Sequence, residues 1–148
     1  MTALDSAWQA ALAAEHQAVF GYTVLGPHLR GAVQRLAVTC SDAHEALRDS
    51  TASALARARL TPVAPLADYP ALYRVDSTGS AERLAIRVED ECARAWRYLY
   101  LQAASARGDA ARTLRSSAQD ALTASAIRAA RWRSIATPTH PTTPFPGL

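Results

Sequence analysis

The sequence contains no lysine, so its 16 basic residues are all arginine, and the formal net charge is only +3. Because the arginines alternate with Asp and Glu and no RNA-binding motif accompanies them, we predict that the protein does not bind nucleic acid. The N-terminus lacks the basic and apolar regions of a signal peptide, and no run approaches the roughly 20 apolar residues of a membrane span. These absences predict a cytoplasmic protein with no membrane partner.

Glycine, cysteine and β-branched residues are also few, with six glycines and two cysteines in the chain. Scarce glycine and abundant alanine favour helix. Cys40 and Cys92 stand alone, without the CxxC spacing of a redox or zinc motif, so we expect two buried, reduced thiols.

Three breaks divide the chain into four long helical segments. "GPHLRG" (Gly26–Gly31) and "RGD" (Arg107–Asp109) are short, whereas Thr61–Ser80 is a long proline-containing connection. The capping and breaking residues predict helices over Asp5 or Ser6–Leu25, Gly31–Leu60, Ser80–Ala106 and Ala110–Ile135.

The lengths of these breaks predict the topology. Each short turn forces an antiparallel hairpin, while the middle connection is long enough to cross the bundle and leave helices two and three parallel. An up-down-up-down bundle is the open alternative, but it would not need so long a connection. We therefore predict an all-α, ferritin-like four-helix bundle with one long crossover. Residues 1–136 form this domain, and residues 137–148 form a proline-rich, non-helical tail.

Each predicted helix carries a polar side chain in the middle of its apolar stripe. Glu15, for example, lies between Leu12 and Val19 at helical spacing. On helix three we predict that Glu91 faces the core, and Glu89 is the alternative. Because hairpin partners lie at similar distances from their turns, we predict one buried polar cluster, formed by Glu15, His44, Glu91, Ser125 and Arg128.

Two explanations of this cluster stay open at the level of sequence. Glu15, His44 and Glu91, together with His16, offer oxygen and nitrogen donors that suit iron, manganese or zinc. Alternatively, the Arg128 guanidinium bridges the carboxylates in place of a metal. The second is favoured, because a cation at that position repels a metal ion. His16 falls at the flank of the stripe, where a helix interface is expected.

Three motifs carry a resemblance to a known family. They are the opening "AALAAEHQAVFGY", the third-helix "VEDECARAW", and the closing "AIRAARWR" followed by "PFPGL". With these motifs the chain resembles, over essentially its whole length, a family of small ferritin-like domains of unknown function from high-GC bacteria. The resemblance implies a fold and no established activity.

The ferritin-like di-iron pattern takes a Glu from each of two helices and Glu-x-x-His from each of the other two. Glu15, Glu91 and His44 match this pattern, whereas Ser41 stands where the Glu of helix two is expected. Ser125 and Arg128 replace both ligands of helix four. The resemblance thus implies a vestigial metal site at Glu15, His44 and Glu91.

These observations predict a non-catalytic binding or interaction protein that needs no cofactor and has no catalytic residue. The first alternative is a di-metal or iron-binding oxidoreductase, and the second is a protein that binds nucleic acid or an anionic ligand through its arginines. The run "AWRYLYL" (Ala95–Leu101) is aromatic on more than one face, which predicts a homodimer contact. No motif identifies a small ligand.

Overall fold

A computed structural model describes all 148 residues and contains four α-helices and no strand. It confirms the predicted all-α four-helix bundle. None of the helices has the length and apolar character that a membrane span requires. The helices are α1 (Ala3–Leu25), α2 (Gly31–Arg57), α3 (Thr78–Ser105) and α4 (Asp109–Ala136).

Helices α1 and α3 begin two or three residues earlier than the sequence predicts, because threonine and serine caps precede them. The Thr2 hydroxyl accepts from the backbone N–H of Asp5 at 3.1 Å, and the Asp5 carboxylate accepts from the Thr2 N–H at 2.9 Å. Ser77 and Ser80 form the same reciprocal box at the start of α3. At the other end of α2, Arg59 adopts a left-handed conformation with φ of 62°. That conformation ends the helix before the predicted Leu60.

Contacts between the helices establish their directions. Glu15 meets Trp96 and Tyr22 meets Glu89, so α1 and α3 run antiparallel. Because α2 is also antiparallel to α1, α2 and α3 are parallel. The segment 58–77 therefore travels the length of the bundle, which is the predicted crossover.

The first part of α1 holds the beginning of this crossover. The Gln9 amide donates to the carbonyl of Thr61 at 2.8 Å and accepts from the backbone N–H of Val63 at 2.8 Å. Nε2 of His16 lies 3.0 Å from the Val63 carbonyl oxygen. His16 is therefore an interface residue, as its place at the edge of the apolar stripe predicted.

The bundle is open on one side. α1 and α3 pack together in its middle, with α2 against α1 and α4 against α3. α2 and α4 make almost no close contact, and a groove of about 960 Å³ separates them. The lining of this α2–α4 groove includes Trp8, Leu47, Trp96, Leu114, Ala124 and Arg128.

The tail has no helix beyond Ala136 and folds back on the bundle. Gly147 lies against α3 with φ of +83°, and a Cβ atom there would be 2.8 Å from the carbonyl oxygen of Ala93. This close approach requires glycine at position 147.

Candidate functional site

A charged cluster lies at the centre of the bundle, with one member from each helix. Glu15 on α1, His44 on α2 and Glu89 on α3 are each 0% exposed. Arg128 on α4 is 12% exposed at its side chain. We call these four residues the central cluster. Charges in such a place need partners, because burial removes the water that would solvate them.

His44 joins the two carboxylates of the central cluster. Its Nδ1 lies 2.6 Å from Glu15 Oε2, and its Nε2 lies 3.0 Å from Glu89 Oε1. Because a carboxylate can only accept, both ring nitrogens donate and the ring is an imidazolium. Burial lowers the pKa of His44, but hydrogen bonds to and charges of Glu15 and Glu89 outweigh it and raise that pKa to about 9.

Arg128 supplies the second positive charge. Its Nε lies 3.0 Å from Glu89 Oε2 and 3.1 Å from Oε1, and its Nη2 donates to the Ser125 hydroxyl at 3.2 Å. The two carboxylates of Glu15 and Glu89 are thus matched by two cations, His44 and Arg128. The central cluster carries no net charge.

Aromatic side chains complete the hydrogen bonding around the carboxylates. Trp96 Nε1 donates to Glu15 Oε1 at 2.7 Å. Trp132 Nε1 donates to the Tyr22 hydroxyl at 2.9 Å, and that hydroxyl donates to Glu89 Oε1 at 2.6 Å. No buried side-chain nitrogen or oxygen lacks a partner. One network in which each buried side-chain nitrogen and oxygen has a partner therefore connects all four helices.

The structure brings Glu15, His44, Ser125 and Arg128 together but places Glu91 elsewhere. The Glu91 side chain is 29% exposed and pairs with Arg87 at 2.8 Å, and it also accepts from the Gln17 amide. Glu91 is therefore a surface residue of α3, and its assignment to the cluster was wrong.

Glu89 takes the place that was predicted for Glu91. The buried stripe of α3 continues from Glu89 through Cys92, Trp96 and Leu99. Tyr98, which is seven residues after Glu91 and shares its side of the helix, is 47% exposed. The apolar residues of this helix cover more than one face, so their spacing alone does not decide between the two glutamates.

Sequence reasoning also missed the aromatic partners of the carboxylates. The sequence pattern gives no hydrogen-bonding role to Tyr22, Trp96 or Trp132. Their chemistry could have indicated this role, since a buried Trp N–H or Tyr O–H requires a hydrogen-bond partner. Trp96 and Glu89 are separated by two helical turns of α3 and so share one face.

The two cysteines are free and buried, as the sequence predicted. Burial raises the pKa of the Cys92 thiol well above its ordinary value, and the charges of Glu15 and Glu89 raise it further. Burial likewise raises the pKa of Cys40. Protonated thiols are weak nucleophiles and weak metal ligands.

The residues present do not fit the two-metal centre that the ferritin-like resemblance implies. Ligand atoms of Glu15, His44 and Cys92 do lie within 4.8 Å of one another. However, both nitrogens of His44 are engaged by carboxylates, and the guanidinium of Arg128 is bound to Glu89. With Ser125 and Arg128 at the two ligand positions, α4 offers no carboxylate or imidazole at the level of the cluster, and Asp120 lies about 12 Å of helix away from Arg128.

Comparison with known proteins places the chain in a family. A conserved hypothetical protein, rv2844, from Mycobacterium tuberculosis has a similar crystal structure, with a TM-score of 0.81 and 31% identity over 90% of this chain and 96% of that one. No curated protein matches the chain. The sequence pattern of the family described as a domain of unknown function (DUF4439) matches residues 7–148. The chain therefore belongs to the DUF4439 family.

Proposed function

We propose that the protein is a non-catalytic binding protein built on a ferritin-like bundle, in which Arg128 replaces a metal. The observation that carries this proposal is the central cluster, where two buried carboxylates are balanced by His44 and Arg128 and each buried hydrogen-bonding atom has a partner. A carboxylate held in this way does not need a metal ion to neutralise it.

The same geometry argues against catalysis by these groups. Glu15, His44 and Glu89 are fully buried, and each engages the others or an aromatic donor. A general base needs a free lone pair within reach of its substrate. The imidazolium of His44 has none, because both of its ring nitrogens donate hydrogen bonds to carboxylates. The groove between α2 and α4 leaves apolar surface open to a ligand, which supports a binding role.

Metal analysis tests the proposal. Protein purified without chelators, in medium that supplies iron, manganese and zinc, is expected to hold far less than one metal ion per chain. Stoichiometric metal that is lost in a His44→Gln variant would overturn the proposal and support the alternative, an iron-binding oxidoreductase. The observation that favours this alternative is that ligand atoms of Glu15, His44 and Cys92 lie close together.

We also propose a cytoplasmic homodimer that forms through the outer face of α3. Tyr98 and Leu101 support this, since they are 47% and 43% exposed and lie one helical turn apart. Light scattering after size exclusion is expected to give twice the chain mass for the wild type and a single chain mass for Leu101→Asp. A wild type that is monomeric at micromolar concentration would refute the dimer.

A further inference from the structure

We propose that the α2–α4 groove binds a long-chain alkyl carboxylate, with the carboxylate at Arg128 and the alkyl chain along the groove. This inference rests on the proposed function as a binding protein and gives the chemical class of its ligand.

The shape and lining of the groove favour a flexible apolar chain. Its volume of about 960 Å³ is at the upper end of the roughly 300–1,000 Å³ of small-molecule sites. On α4 the lining extends from Ala110 to Arg128, a distance of about 27 Å at the rise of an α-helix. Such an elongated space suits an alkyl chain better than a compact ring. Apolar groups along it include Trp8, Leu47 and Leu114.

Arg128 is the polar feature at the inner end of the groove. Its Nε and Nη2 atoms are bonded to Glu89 and Ser125, while its Nη1 has no protein partner. Because no buried side-chain nitrogen is unpaired, Nη1 is reached by solvent, and the side chain lines the groove. A guanidinium with free N–H groups beside apolar surface is suited to a carboxylate, through charge-assisted hydrogen bonds.

Two other charged residues line the groove. Arg57 lies at its outer end, and Asp120 lies on α4 two turns before Arg128. Asp120 is exposed, and about 12 Å of helix separates it from Arg128, so solvent and salt screen its repulsion of an anion at Arg128. Arg57 and Asp120 carry opposite charges, and the charge of Arg128 is paired with Glu89. The preference for an anionic head group therefore rests on the free N–H groups of Arg128, which can only donate.

Binding of dodecanoate, measured below its critical micelle concentration, tests the inference. Trp8 and Trp96 line the groove, so their fluorescence reports on occupancy, and isothermal calorimetry gives the affinity. Dodecan-1-ol has an alkyl chain of the same length without the charge. We expect dodecanoate to bind at least about tenfold more tightly than the alcohol, as the loss of a charge-assisted contact implies.

A pair of variants locates the ligand without touching the central cluster. Ala124→Phe fills the groove one turn from Arg128 and is expected to weaken dodecanoate binding at least about tenfold. Ala56→Phe makes the same chemical change at an exposed position that does not line the groove, and it is expected to bind as the wild type does.

The inference is overturned by any of three results. These are equal binding of the acid and the alcohol, no binding of dodecanoate by folded wild-type protein, or equal binding by Ala124→Phe. If the wild type is a dimer and Ala124→Phe is a monomer, a second copy of the chain fills the groove instead of a ligand. Metal content measured on the same preparation separates this inference from the proposed function. Metal-free protein that does not bind dodecanoate would overturn the ligand class and leave the metal-free binding protein standing.

Discussion

Replacement of Arg128 by alanine tests the central cluster most directly. The change removes the cation that binds Glu89 through Nε at 3.0 and 3.1 Å. The cluster then holds two carboxylates and only His44 to balance them, so one negative charge remains at a site where Glu15 and Glu89 are fully buried. Water that enters through the α2–α4 groove replaces part of the lost interaction, because Arg128 lines that groove.

The magnitude follows from measured costs of breaking buried ion pairs. Removal of one partner destabilises proteins by about 3–5 kcal/mol, and the partial access of water places the expected loss near the lower figure. For a chain of this size, each kcal/mol lowers the melting temperature by about 2–4 °C. We therefore expect a decrease of about 10 °C, measured by calorimetry or by circular dichroism at 222 nm.

Two further variants make this experiment specific. Arg112→Ala removes an exposed arginine of the same helix, whose partner Asp109 is also exposed, and is expected to melt as the wild type does. Adding Glu89→Gln to Arg128→Ala restores a neutral cluster, because Glu15 and His44 remain paired, and is expected to recover part of the loss. The reasoning is refuted if Arg128→Ala melts within about 2 °C of the wild type, since 1 kcal/mol or less would then separate them.

Three other features of the structure give predictions. The pKa of His44 rises from 6.5 to about 9 beside Glu15 and Glu89, so about 3 kcal/mol of stability is present below pH 6.5 and is lost between pH 6.5 and 9. Urea unfolding across this pH range should show the loss of stability in the wild type and in the tail variant His140→Gln. A free energy of unfolding that does not change with pH would contradict the protonation of His44. Gln9→Ala removes the acceptor of the Val63 N–H and should speed hydrogen exchange of that amide about tenfold, whereas the exposed Gln119→Ala should leave it unchanged. Gly147→Ala should release the tail and speed its digestion by carboxypeptidase, because the new Cβ would meet the Ala93 carbonyl. The control is Gly26→Ala, whose new Cβ meets no atom within 4 Å. Equal digestion of the two variants would show that the tail is not held at Gly147.

The architecture could be predicted from the sequence because its signals are local and strong. Gly26, Pro27 and Gly108 interrupt helical patterns, and the length of the connection after α2 decides between a turn and a crossover. The helix ends were less well predicted, since Thr2 and Ser77 cap the helices three or four positions before the residues chosen.

The cluster was predictable in kind but not in every member. Glu15 and His44 lie on clear stripes of α1 and α2, so their meeting follows from hairpin geometry. The choice between Glu89 and Glu91 depends on how α3 is rotated about its axis. That rotation is set by packing against both α1 and α4, which no single helix pattern contains. The opening between α2 and α4 is a three-dimensional property of the same kind.

The composition of the core gives the central cluster a further consequence. Alanine supplies many of the buried residues of α1 and α3, including Ala7, Ala11, Ala81 and Ala85. Side chains so small and so alike present similar surfaces after one helix slides along another by a turn, about 5.4 Å. Hydrophobic burial alone would then distinguish poorly between the native bundle and shifted competitors. Any such slide would move His44 away from Glu15 or Glu89 and leave a buried charge without its partner, so the cluster increases the energy difference between the native bundle and shifted bundles.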